Sequence, residues 1–442
     1  MIPVIPATMS DLTALWAAAR ATDPLVQRYR RSFALLDWGV VPERDPQRAW
    51  PGRVPHPRVA YAKALLVKLG EHFPYITRLR TFLLEHPLLV LELGFVPVLD
   101  STQPWGFDVE RTVPGDRWLR HQQQTLDHTL LQSLLAATVQ SLAAALPDLG
   151  STVAVDVKHS YAWVRENNPK ESIPQRFDPG RQPHGDPDCR LGVKRRSNQG
   201  QRDGASRTEF LWGYGTGIVS ALTPDAGDVV LAELTQPFHQ SDITYYHALY
   251  QQTVAHLGHP PRNVAADAAF DAWHVYQSCA AQGGIAAIPL NERGPRPVRS
   301  ADGHPLCDQG HVMLPMGTFV HEDGYRAQHY RCPLRVPPST EATCDDPRFA
   351  HGGCRKVVNL EVGGQLRLAL DRTAEPYLSI YRQRTSAERI NSQATELGIE
   401  RPKVRSRAAV VRLNTLTYIT INLRAIHRLH DRQAAQTQAV RC

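Results

Sequence analysis

Hydrophobic and polar positions change their rhythm near residue 150. Before it, apolar residues recur at helical spacing. Arg58–His72 carries such a pattern. Tyr75–Glu85 repeats it after Pro74 and is stopped by Pro87. Val96–Val113 is broken by proline and glycine and reads as a connector, whereas Arg117–Leu146 reads as one long amphipathic helix closed by Pro147-Asp148-Leu149-Gly150. Helices of this size on short turns suit a helix-turn-helix module, but they are equally compatible with a plain bundle, which is the safer reading from pattern alone.

Beyond residue 151 short apolar runs replace the helical period. Thr152–Val157 reads as a strand, followed by a long polar loop over Asn167–Arg207. Glu209–Leu222 and Asp228–Leu234 read as strands around a turn. Ser241–Leu257 reads as a helix, Val264–Ala266 as a strand, Ala272–Gln282 as a helix and Ile285–Pro289 as a strand. Residues 291–375 are dense in Pro, Gly, Cys and His with weak periodicity, and read as an insertion. Pro376–Thr395 resumes as a helix, and Val404–Leu429 is a long apolar helix with a polar, frayed tail after His430. The alternation predicts an α/β protein divided into a helical domain at 1–150, a first part of the α/β core at 151–290, the insertion at 291–375, and a second part of the core with the C-terminal helix at 376–442.

A length of 442 residues suits two or three domains, and 42% hydrophobic residues allow sizeable cores. Net charge is +7, and the excess is clustered. Residues 194–207 hold five basic side chains and one acidic, and residues 401–412 hold five basic and none acidic. Such stripes suit a polyanion such as DNA, or are simply solvated faces. No run of eighteen apolar residues occurs, so no membrane span is expected, and no secretory leader is evident at the N-terminus. Seven cysteines, four of them within 307–354, fit reduced thiols in a cytosolic compartment better than a disulfide framework.

Three acids change this picture. Asp156 sits in the run Thr152–Val157, Asp267 closes Asn263–Asp267, and Glu388 lies on an expected helix. Two carboxylates on strand ends and one on a helix can cage hard divalent cations, as phosphodiester chemistry requires. Singly, each is more often a cap or a solvated side chain. Tyr381, Arg384 and Glu388, however, stand at i, i+3 and i+7, one helical face able to touch phosphate and metal together. Asp271 is expected to cap the helix after it. Lys158 and His159 adjoin Asp156 and could touch phosphate, with a packed or solvated histidine as the plainer reading. Lys194, Arg195, Arg196 and Arg202 lie in a polar loop able to contact a nucleic-acid backbone. Cys307, Cys332, Cys344 and Cys354, with His311, His329 and His351 nearby, could supply a structural tetrahedral Zn²⁺, although no CxxC pair is present. Ordinary thiols are the equal alternative.

The Tyr381, Arg384, Glu388 spacing resembles the tyrosine–arginine–glutamate signature of DDE transposases encoded by bacterial insertion sequences. That signature ends in a lysine seven residues after the glutamate, where this chain has Thr395; Arg389 and Lys403 are the nearby basic residues. Asp156-Val157-Lys158-His159 and Ala266–Asp271 are similar to the family's two aspartate motifs. The stretch Asn391 to Arg405, the apolar helix containing Asn422-Leu423, and Arg58–Leu93 extend the likeness over nearly the whole chain. The resemblance implies a ribonuclease H-like mixed sheet with flanking helices, an N-terminal helical DNA-binding domain, and a β-rich insertion between the second aspartate and the glutamate. It implies Asp156, Asp267 and Glu388 as holders of two Mg²⁺ (or Mn²⁺) ions, and DNA contacts from Tyr381, Arg384, the basic loop, Lys403 and Arg405. Trp273 is then placed to receive a flipped base, with a core tryptophan as the plainer reading. The implied partners are double-stranded terminal inverted repeats and target DNA, bound by a homodimer in a bacterial, nucleoid-associated setting. Two other readings stay open: a nuclease of the same fold that cuts without joining, and an inactive DNA-binding descendant.

Overall fold

The structure, a computed structural model, describes residues 9–43, 49, 54–197, 206–291, 298–336 and 343–441. The helices α1 (Met9–Thr22), α2 (Pro24–Phe33), α3 (Arg58–Gly70), α4 (Ile76–Glu85) and α5 (Pro87–Leu93) come first. A two-stranded ladder of β1 (Val98–Leu99) and β2 (Phe107–Asp108) leads to α6 (Val109–Thr112), α7 (Asp116–Thr125) and α8 (His128–Ala145). Then follow β3 (Thr152–Tyr161), β4 (Arg190–Ser197), β5 (Ser206–Thr223), β6 (Gly227–Pro237), α9 (Ile243–Leu257), β7 (Asn263–Ala265), α10 (Trp273–Ala280) and β8 (Ala286–Ala287). The chain continues through β9 (Leu314–Val320), β10 (Arg326–Arg331), β11 (Arg355–Asn359), α11 (Val362–Ala369), α12 (Glu375–Tyr381), α13 (Thr385–Glu396) and α14 (Arg407–Arg441). The result is a mixed α/β protein with helices flanking sheet. It divides into two compact units: Met1–Pro260 with Thr385–Cys442, and Pro261–Arg384.

In the first unit β5 is the organising strand. It pairs antiparallel with β3, Asp156 lying opposite Ile218 and Tyr161 opposite Gly213. On its other edge β4 and β6 lie end to end, taking residues 206–213 and 214–223. Val229, Val230, Leu231 and Ala232 are all fully buried, so β6 is covered on both faces and reads as an unbroken apolar run. Helix α9 approaches β5 where Gly215 and Gly217 present no side chain. A Cβ at these positions would lie 2.5 Å from the Tyr245 hydroxyl and 2.7 Å from its ring.

The N-terminal helices share one apolar core with this sheet. Leu65, Leu79, Leu83, Leu131 and Leu134 belong to the same buried cluster as Ile218, Val230, Ile390 and Tyr418. The 117–146 stretch is two helices rather than one, because the Asp127 carboxylate accepts from the Thr129 N–H at 2.9 Å and starts α8 afresh. Pro87 ends α4 and occupies the first turn of α5. The expected loop over 167–207 contains strand β4, and α14 runs on to Arg441 where a frayed tail was expected.

Helix α14 buries amides as well as apolar side chains. Asn422 is fully buried. Its Oδ1 accepts from the Val230 N–H at 2.8 Å, while its Nδ2 donates to the Val230 carbonyl and to Thr138 Oγ1, both at 2.8 Å. One side chain thus acts as a neighbouring strand for β6.

In the second unit β7 and β8 pair in parallel, Val264 with Ala286 and Ala265 with Ala287. Helix α12 covers them through Tyr377 and Ile380. The expected insertion carries a three-stranded antiparallel sheet, β11-β10-β9. Its small core joins Cys307, Met313, Tyr330, Cys332 and Cys354. Among the described residues no helix is long and apolar enough to cross a membrane.

The amide bridge gives a stability prediction. Asn422→Leu keeps the volume but strips the partners from a buried backbone N–H and C=O, so chemical denaturation should show a loss of about 2–4 kcal/mol. A loss below about 0.5 kcal/mol would mean that water or a shifted strand replaces the amide.

Candidate functional site

Strand alternation decides which side chains of β3 can meet α13. Asp156 points to that helix, and its Oδ2 accepts from Asn391 Nδ2 at 2.8 Å. Glu388 stands one turn before Asn391, about 4.5 Å along the helix axis, and its side chain is exposed. Between them Arg389 reaches β6, where its Nε and Nη2 donate to the Asp228 carboxylate at 2.6 and 2.7 Å. The Arg389 pair and the Asn391 bond therefore fix α13 to β6 and to β3, neighbours on opposite edges of β5. Oδ1 of Asn391 is buried without a hydrogen-bond partner.

The neighbouring charges are arranged around this pair. Lys158, on the Asp156 side of β3, lies 3.6 Å from a Glu400 oxygen. His159 points the other way and packs on Phe238 with ring centroids 4.0 Å apart. Burial, reinforced by the positive charges of Lys194 and Lys158, pushes its imidazole down to about 4. At neutral pH His159 is an uncharged packing residue. Thr395, where the resemblance calls for lysine, turns its hydroxyl back to the Asn391 carbonyl at 2.8 Å. Arg389, one of the nearby basic residues, is committed to Asp228.

Asp267 belongs to the second unit. It follows β7, is partly buried, and its Oδ1 accepts from the Ala269 N–H at 2.9 Å, capping a single 3-10 turn. Asp271 is not a helix cap: Ala272 holds that place, and the Asp271 carboxylate takes both Nε and Nη2 of Arg367, at 2.7 and 2.5 Å. Burial pushes its pKa up, but Arg367 and the Asn291 N–H outweigh burial and hold it below the ordinary carboxylate value. Trp273 starts α10, half-buried, edge-on to Tyr325 at 5.8 Å. Pro376–Thr395 is not one helix. A 3-10 turn, Arg382–Arg384, interrupts it, so i, i+3, i+7 spacing no longer defines a single α-helical face. Within the second unit the Arg384 guanidinium stacks over Tyr381 at 5.8 Å.

Lys194 sits on β4 opposite Glu209, with Arg195 and Arg196 following on the same strand, and Arg202 lies outside the described residues. Lys403 and Arg405 lie over the Trp163 ring, at 5.8 and 5.0 Å. Cys307, Cys332 and Cys354 share the small buried core, and Cys344 is not part of it. Burial, then a hydrogen bond to Asp346, pushes the Cys354 thiol up to about 12, so it stays protonated. Among the described residues no group of three or more His, Cys, Asp or Glu side chains is arranged to hold a metal ion, and the four-sulfur set for zinc is not assembled. The carboxylates of Asp156 and Glu388 are the oxygen donors that a hard cation prefers.

Asn391 and Asp228 do positional work that sequence reasoning did not assign. Asn391 was visible three residues after Glu388, a spacing that signals a shared face. Asp228 gave no signal, because its partner lies 161 positions away. No family model and no curated protein matches the chain.

The His159 environment sets a pH dependence. The folded state resists protonation that the unfolded chain accepts near pH 6.5. The stabilisation is complete above that value and is lost as pH falls toward 4. Between about pH 7 and about pH 4.5, His159→Phe should lose roughly 2–3 kcal/mol less stability than the wild type. Parallel denaturation curves for the two proteins would show that His159 titrates normally.

Proposed function

We propose that the chain is a metal-dependent DNA transposase with a ribonuclease H-like core, cutting at the ends of its element and joining the freed 3′ ends to target DNA. The observation that supports this most is the pinning of Glu388's helix against Asp156's strand through Asn391. Asp156 and Glu388 are the proposed ligands for Mg²⁺ (or Mn²⁺), with Asp267, on the second unit, the third acid that the family resemblance assigns to a two-ion set. Bound there, the ions would lower the pKa of an attacking water or 3′-hydroxyl and stabilise the leaving oxygen.

The protein's own groups do the rest. Asn391 orients the Asp156 carboxylate. The Arg389–Asp228 pair keeps the Glu388 helix in register. Arg384, stacked on Tyr381, is a planar cation of the type that grips phosphate. Lys194, Lys403 and Arg405 add salt-sensitive backbone affinity without reading sequence. A homodimer follows from the need to process two ends together.

The test is a nicking assay on supercoiled DNA carrying the sequences that flank the reading frame. The wild type should cut with Mg²⁺ and stop with a chelator. Asp156→Asn and Asp267→Asn should each cut at least about a hundredfold more slowly while still binding the DNA. Undiminished cutting by either variant refutes the assignment. Pre-cleaved ends separate the nuclease reading, which predicts no joined product, from the transposase reading.

A further inference from the structure

Where β3 ends, the first unit opens a groove lined by rings and cations. Trp163, just past the strand, is 39% exposed. Lys403 and Arg405 lie over its face, and Arg401 lies over Tyr161 at 4.1 Å. These residues line an open cleft of about 370 Å³. A second cleft, of about 530 Å³, shares Tyr161, Asn167, Pro169 and Arg401 with the first and adds Phe177 and the exposed Phe210. Those two rings stack at 6.1 Å. The two clefts form one track of aromatic faces.

The track is built rather than incidental. Asn167 locks its floor, donating to the Ala162 and Trp212 carbonyls at 2.8 and 2.7 Å and accepting from the Trp212 N–H at 3.0 Å. The carboxylates that line it are engaged. Glu171 pairs with Arg165 at 2.6 Å, Glu209 accepts from the Tyr161 hydroxyl, and Glu400 faces Lys158. The cations laid against the rings include Arg401, Lys403 and Arg405, with Arg176 over Phe177 at 6.0 Å.

We infer that this groove binds single-stranded polynucleotide. The exposed rings of Trp163 and Phe210 can stack unpaired bases of any sequence, and the cations beside them meet the phosphates. A duplex offers phosphates but keeps its base faces stacked, so the rings would be idle against it. Tyr161 lies five residues beyond Asp156 on one strand, roughly 17 Å away. By strand alternation Tyr161 stands on the face of β3 opposite Asp156, so the groove is a site apart from the carboxylates, and the inference does not rest on the cutting reaction.

The experiment uses the full chain and fluorescence anisotropy with two probes, an oligothymidylate of about 20 nucleotides and a duplex of about the same length. Trp163→Ala should weaken binding to the oligothymidylate about tenfold, Trp163→Phe should largely preserve it, and duplex binding should not move. If Trp163→Ala fails to fold, the Lys403→Gln/Arg405→Gln double variant takes its place. It should bind the single strand more weakly and lower the log–log salt slope by about 1.4. Unchanged oligothymidylate binding by either variant, or equal weakening toward both probes by Trp163→Ala, overturns the groove. Asp156→Asn keeps the two proposals apart: it should bind the single strand as the wild type does even though it no longer cuts. A protein that binds but never cuts loses only the nuclease reading, and one that cuts but ignores Trp163 loses only the groove.

Discussion

One constraint governs the candidate site: α13 is pinned across β5 at two points. The Arg389–Asp228 pair ties it to β6, and the Asn391–Asp156 hydrogen bond ties it to β3. Each bond alone holds the helix at one point only. Together they hold it at two, and Glu388 is carried to its place by its neighbours. The apolar side of the same helix, Ala387, Ile390 and Ala394, is fully buried in the shared core, which removes the remaining freedom.

The energetic logic is one of specificity rather than bulk stability. Asp228 is nearly buried while Arg389 keeps part of its guanidinium in water. Such a pair contributes little net free energy, but removing one partner strands the other's charge. The same holds for the amides of α14. A leucine at 422 would match the burial of Asn422 but strand the Val230 N–H and C=O, because only an amide can complete the backbone of β6. Buried polar contacts here select one register among apolar surfaces that would tolerate several.

Much of this was legible in the sequence, for physical reasons. The strands around Val155, Val219 and Val230 are buried on both faces and announce themselves as apolar runs. What escaped detection lacked such a pattern. Strand β4 reads as a loop because its sequence is basic and polar. β9 is exposed along nearly its whole length, so alternation carries no signal there. The break between α7 and α8 was written in Leu126-Asp127, an aspartate placed to cap, but apolar periodicity runs through it. The 3-10 turn at Arg382–Arg384 is equally silent. Asp156 and Glu388 stood out as a motif, whereas the contacts that position them pair residues 235 and 161 positions apart and leave no local trace.

The claim that the two pinned carboxylates share a cation is tested most directly by a calorimetric titration of the full chain with Mn²⁺. The account predicts that Asp156→Asn and Glu388→Gln weaken the same binding event, each by at least about tenfold, or about 1.4 kcal/mol. Titrations of both variants that superimpose on the wild type would contradict it.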